Sequence, residues 1–162
     1  MSSAAAPVAR KNGQKGGMLT AHRGPAATVG EARLRVRYAE TDQMGVVYHS
    51  NYIVWFEVGR VELLRQIGYT YREMEADGVQ LPVAEVRCRY KSPARYDDQI
   101  LIRTSIQNVR GALIQFGYEV LRQTDNTLLA EGTTTHLVVG GDMQRITLPE
   151  KYMTPFTGAM GR

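Results

Sequence analysis

The stretch NYIVWFEVGRVELLRQI, residues 51–67, decides the fold. Its length and its Leu, Glu and Arg content predict a helix, which Ser50 or Asn51 can cap and Gly68 can end. On a helical wheel Ile53, Val54, Trp55, Phe56, Val58, Val61, Leu63, Leu64 and Ile67 spread over most of the circumference, wider than the stripe of an ordinary surface helix. Such a helix must be enclosed.

What encloses it is written on both sides of it. Upstream, Ala32–Tyr38 alternates Leu34, Val36 and Tyr38 with Arg33, Arg35 and Arg37, the period-two pattern of a half-buried strand. Downstream, a short helix near Tyr71–Ala76 ends at Asp77-Gly78. Four long strands follow, at about Gln80–Pro93, Gln99–Val109, Ala112–Gln123 and Leu128–Val139. Turn signals at Asp97-Asp98, Arg110-Gly111 and Asp125-Asn126 separate them, and connections this short predict an antiparallel meander. The fold class is α+β, with a curved antiparallel five-stranded sheet wrapped around one long helix. Strands two to five carry apolar side chains on both parities, for example Val83 with Val86 and Ile102 with Leu101, so the outer face or the strand edges should be covered by self-association.

Residues 1–30 read as a disordered basic leader, 31–153 as the folded domain and 154–162 as a short C-terminal tail. The whole chain has a formal charge of +4, which on its own would suggest a polyanionic partner. Arg10, Lys11, Lys15 and Arg23 all lie in the leader, which has no acid, so the rest of the chain is formally neutral and a nucleic-acid partner is not expected. One cysteine, Cys88, cannot form an internal disulfide, which points to the reducing cytoplasm. No apolar run is long enough to span a membrane. Phosphate-loop, dinucleotide, HExxH and CxxC motifs are missing, and His22, His49 and His136 lack metal-ligand spacing, so neither cofactor nor metal is expected.

The chemistry concentrates in YAETDQMGVVYHSNY, residues 38–52, a loop carrying an acid and a glycine that runs straight into the long helix. Free backbone N–H groups at that helix end, from about Tyr48 to Ser50, form a site for negative charge. A carboxylate that can attack or activate water, beside donors for a developing oxyanion, is the minimum equipment for acyl transfer.

With TDQMGVVYHSNYIVWFEVGRVELLR at 41–65 and YKSPARYDDQILIRT at 90–104, the chain resembles the hotdog-fold thioesterases of the 4-hydroxybenzoyl-CoA thioesterase class, including the acyl-CoA thioesterase branch associated with the bacterial Tol–Pal system. The resemblance implies metal-free hydrolysis of an acyl-CoA substrate by a homodimer or homotetramer. It matches Asp42 to the catalytic aspartate, as nucleophile or general base, and the His49 backbone N–H to the donor that polarises the thioester carbonyl. Gly45, Val46, Val47 and Tyr48 would line the acyl pocket. Arg110 stands where these enzymes carry a basic cluster for the nucleotide, with Lys91 and Arg95 as further candidates. A noncatalytic acyl-CoA or acyl-group binding module on the same fold is the alternative.

Three other residues carry expectations. Glu57 and Arg60, three apart on the helix with Arg60 inside the apolar arc, read as a structural ion pair, with Glu57 a second candidate for the catalytic acid. Cys88 shares its strand parity with Ala84, Val86 and Tyr90 and reads as a core thiol. His136, alone on the last strand, reads as structural.

Overall fold

The computed structural model describes residues 26–161. Helix α1 (Ser50–Gln66) follows strand β1 (Val29–Arg35) and a single 3-10 turn at Tyr38–Glu40. Then come α2 (Tyr71–Ala76), β2 (Val83–Tyr90), β3 (Gln99–Arg110), β4 (Leu113–Arg122), β5 (Thr127–Leu137) and α3 (Glu150–Ala159). The strands form one antiparallel sheet in the order β1-β3-β4-β5-β2. The sheet curls around α1 as its apolar sequence requires. Inward side chains Ile100, Ile102, Ile114, Phe116 and Val120 join Trp55, Phe56, Leu63 and Leu64, none of them more than 1% exposed. Burying each large apolar side chain contributes about 1.5–3 kcal/mol.

Close approach of helix to sheet depends on missing side chains. A Cβ on Gly59 would run into Thr104 Oγ1, and one on Gly132 would sit 2.5 Å from both the Arg87 carbonyl oxygen and the Phe56 ring. Phe56 uses this room to stack on Tyr118, ring centroids 4.4 Å apart.

The meander expectation holds for β3, β4 and β5 but not for β2, which crosses over to pair with β5 and forms an edge. The segment between β2 and β3 folds back over the loop before α1 instead of making a hairpin, with Ala94 as its anchor. Edge position explains Cys88. The thiol is only half-buried rather than in the core, because all of β2 except Cys88 is exposed. Burial still pushes the Cys88 pKa up, partly offset by a hydrogen bond with Tyr90.

The strand reading near the start shifts by three residues. β1 begins at Val29, inside the segment assigned to the leader, and Gly30 packs so tightly on α1 that a Cβ would lie 2.8 Å from Leu63 Cα. Tyr38 falls in the 3-10 turn and is exposed instead of facing the core. Residues 1–25 of the leader expected at 1–30 lie outside the described residues. At the other end α3 extends the folded domain to Ala159, burying Tyr152, Phe156 and Ala159, so residues 154–159 are not a tail. Its anchors are the Tyr152 hydroxyl on Asp77 Oδ2 at 2.5 Å and the Thr28 N–H on the Ala159 carbonyl at 2.8 Å.

The outer sheet face is more polar than expected. Arg87, Arg89, Arg103, Ser105, Gln107, Glu119 and Thr133 line it, while Leu101 and Leu121 tuck under one end. Exposed apolar surface lies instead on β2 (Val83 and Val86) and on α1 (Val54 and Val58), so a single chain does not enclose its helix completely.

Candidate active site

The loop between β1 and α1 is closed by its own hydrogen bonds. The Asp42 N–H donates to the Val46 carbonyl and the Gly45 N–H to the Asp42 carbonyl, both at 2.9 Å, with Gly45 at φ 74°. Asp42 Oδ1 accepts the Met44 N–H at 2.8 Å, an Asx turn that fixes the carboxylate. No hydrogen bond engages Oδ2 among the described residues.

A second acid, Glu40, ties this loop to the helix. Its carboxylate accepts the Arg37 N–H at 2.7 Å and the Trp55 indole N–H at 3.1 Å. Its backbone carbonyl accepts the Tyr48 N–H and the Asn51 side-chain amide, both at 2.9 Å. Burial by itself would raise the Glu40 pKa, but the bonds from Arg37 and Trp55 outweigh it and hold the carboxyl below its ordinary value. Sequence reasoning assigned Glu40 no role. Its signal was Trp55, because a buried indole N–H needs an acceptor.

The two sequence motifs meet here. The Val47 N–H donates to the Ala94 carbonyl at 2.8 Å, the Ala94 N–H to the Tyr52 hydroxyl at 3.0 Å, and the Tyr90 hydroxyl to the His49 carbonyl at 2.9 Å. With Tyr48 spent on Glu40, the N–H groups of His49 and Ser50 meet no acceptor among the described residues. They stand at the positive end of a 17-residue helix.

Asp42, Val46, Val47 and His49 line one cavity of about 320 Å³, with Tyr90 and Lys91 across from them. Asp42, whose Oδ2 has no partner among the described residues, and His49, whose backbone N–H has no acceptor among them, thus both line one largely apolar space. The Thioesterase-like superfamily matches residues 36–155. The chain belongs to this superfamily.

Its relatives agree. Bacillus subtilis YneP is 40% identical over 111 residues, 68% of this chain and 80% of that protein. The Escherichia coli acyl-CoA thioester hydrolase YbgC is 35% identical over 126 residues, 76% of this chain and 92% of its own. Among solved structures, the DHNA-CoA thioesterase of Staphylococcus aureus superposes with a TM-score of 0.74 at 30% identity, covering 81% of this chain and 87% of that one. A hypothetical protein from Thermus thermophilus gives 0.75 at 39%, covering 79% and 97%. The sheet-around-helix architecture is the hotdog fold of these thioesterases.

Within this thioesterase fold not every expected site residue reaches the cavity. Gly45 shapes the turn behind Asp42 without lining the space, and Tyr48 is half-exposed against the His49 ring. Arg110 ends the 12-residue strand β3, whereas the cavity lies by the loop that precedes that strand, so the same chain does not bring Arg110 to Asp42. Lys91 is the cation that lines the cavity, and it also pairs with Glu131 at 3.0 Å. Arg95 does not line it; its N–H donates to Asp98 Oδ2.

The expected Glu57–Arg60 pair does not form. Arg60 is buried, and its Nε donates to the Tyr71 hydroxyl at 2.6 Å, while Glu57 stays exposed. A phenol from the next helix replaces the carboxylate three residues away. His136 is structural, as expected. It is fully buried, with Nδ1 2.9 Å from the Leu81 carbonyl and Nε2 2.9 Å from Thr134 Oγ1. A carbonyl only accepts, so Nδ1 carries the proton, Thr134 donates to Nε2, and the Tyr118 hydroxyl donates to Thr134 at 2.7 Å. Burial pulls the His136 pKa down to about 4, so the imidazole is neutral.

Proposed function

We propose that the chain hydrolyses acyl-CoA thioesters at this cavity, as a member of the 4-hydroxybenzoyl-CoA thioesterase class in the Tol–Pal-associated branch. Asp42 is the catalytic carboxylate and the His49 backbone N–H the oxyanion donor. The observation that carries this reading is that Asp42, turn-fixed with an unengaged Oδ2, and His49, with a helix-end N–H that meets no acceptor among the described residues, line the same cavity. The E. coli relative is named for the same reaction.

The chemistry follows from these groups. The thioester carbonyl oxygen accepts from the His49 N–H, which stabilises the negative charge that develops on it. Asp42 Oδ2 then either attacks the carbonyl carbon, giving an acyl-aspartyl anhydride that water cleaves, or takes a proton from an attacking water. The carbon–sulfur bond breaks and the pair of electrons leaves on sulfur. A thiolate has a conjugate-acid pKa near ~8.5, so departure needs no strong acid. Val46 and Val47 offer apolar surface to the acyl chain, and Lys91 offers a cation to the phosphate-bearing leaving group.

The working unit is a homodimer or homotetramer. The exposed β2 edge, with Val83 and Val86, and the uncovered Val54 and Val58 of α1 support it. In such an assembly Arg110 serves the site of a neighbouring copy. Cytoplasmic residence fits the single thiol, Cys88.

The test is release of free thiol from a panel of short, long and aromatic acyl-CoAs. Turnover on at least one of them is expected. Saturable binding without turnover on any would instead make the chain an acyl-group binding module.

A further inference from the structure

Arg60 is 8% exposed on α1, and no carboxylate of the described residues forms an ion pair with it. Its neighbours are phenols. Nε donates to the Tyr71 hydroxyl, the guanidinium carbon lies 5.7 Å from the centre of the Tyr71 ring, and the Tyr118 hydroxyl stands beside it. Neither phenol is a counter-ion. Burial drives the Tyr71 pKa to about 12 despite the opposing charge of Arg60, and Tyr118 spends its proton on Thr134. A buried cation without an anion is costly, and removing its charge is not open to arginine.

The space around Arg60 is a cavity of about 550 Å³ between α1 and α2, within the range of small-molecule sites. Arg65, Tyr71 and Arg72 line it with Arg60, as do Glu57 and Glu75, so three arginines face two glutamates around it. Arg65 is paired with Glu62 at 3.4 Å, whereas Arg72 forms no ion pair among the described residues. Of the five guanidinium N–H donors of Arg60, Nε–H goes to Tyr71 and another faces the Tyr118 hydroxyl oxygen, which leaves the remaining terminal N–H groups for an oxyanion. The cavity shares no lining residue with the one that holds Asp42.

We propose that this cavity is an oxyanion-binding site, separate from the hydrolytic one, in which Arg60 grips the carboxylate or phosphate group of a small ligand and Arg72 supplies a second cation at the mouth. Glu57, which sequence reasoning weighed as a catalytic acid, belongs to the wall of this second site.

Calorimetric titration of the full chain with inorganic phosphate and, separately, with sodium acetate separates the two sources of the oxyanion. Chloride balances the ionic strength. Saturable binding of at least one is expected, weakened about tenfold or more in Arg60→Gln and severalfold in Arg72→Gln, with circular dichroism confirming the fold of each variant. Arg72 is exposed, so Arg72→Gln carries the test alone should Arg60→Gln fail to fold. Absence of saturable binding of both anions to the unsubstituted protein, or affinity unchanged in the folded variants, would overturn the proposal. Neither result depends on thioester turnover.

Discussion

The Glu40 carboxylate accepts the indole N–H of Trp55 at 3.1 Å, while the Glu40 carbonyl accepts the N–H of Tyr48, the residue before His49. One residue thus holds both ends of the geometry, the loop that presents Asp42 and the helix that presents His49. Removing the carboxylate in Glu40→Ala leaves a buried indole N–H unpaired, at a cost of about 1–3 kcal/mol. A fall of roughly tenfold to a hundredfold in kcat is expected, larger than any change in KM, because positioning rather than substrate contact is lost. Trp55 is the only tryptophan, so its emission reads the same bond directly. Glu40→Gln, which keeps an acceptor, should recover most of the activity and the emission. Equal damage in both variants would assign Glu40 another role.

His136 makes stability depend on pH. Its folded pKa of about 4 lies below the ordinary 6.5, so the unfolded chain takes up the proton first as pH falls. The contribution is complete above about 6.5 and is lost progressively towards about 4, on the order of 3 kcal/mol in all. Glu40, with its pKa lowered from 4.5, acts in the same direction but only below that value. Urea unfolding between pH 6.5 and 4.5 therefore isolates His136, and the slope over that interval should flatten in His136→Gln. An unchanged slope would mean the imidazole is not the group responsible.

Two glycine substitutions should move stability in opposite directions. In Gly132→Ala the new methyl meets the backbone oxygen of Arg87 and the Phe56 ring, neither of which can yield, so a loss of about 1–3 kcal/mol is expected. Gly158 lies in α3, where an added methyl group would have nothing within 4 Å, and alanine there should gain up to about 1 kcal/mol from helix propensity. Thermal midpoints of the two variants, compared with the parent, check both signs.

Much of this molecule could be read from residues 38–67 and the strands that follow. An apolar run too wide for a surface helix demanded a sheet around it, and the turn residues marked hairpins, as Gly111 at φ 59° and Asn126 at φ 56° show. Pairing order was not legible for β2, because alternation specifies a strand's faces and not its neighbour. Exposed Val54 and Val58 looked like core for a related reason, since composition alone does not separate an apolar side chain on the surface from one inside. In the site, Asp42 and His49 came from one continuous segment and were found together. Arg110 was not, because β3 carries it away from the loop, and Arg60 found its partner across the fold in Tyr71 where local spacing offered Glu57.

The most direct measurement is the rate of thiol release by Asp42→Asn on an acyl-CoA that the parent enzyme turns over. The asparagine side-chain oxygen can still accept the Met44 N–H that holds the loop, so the substitution removes the charge and spares the turn. The proposed part of the carboxylate in the chemical step predicts a loss of about two orders of magnitude or more in kcat. Full activity in Asp42→Asn would contradict it.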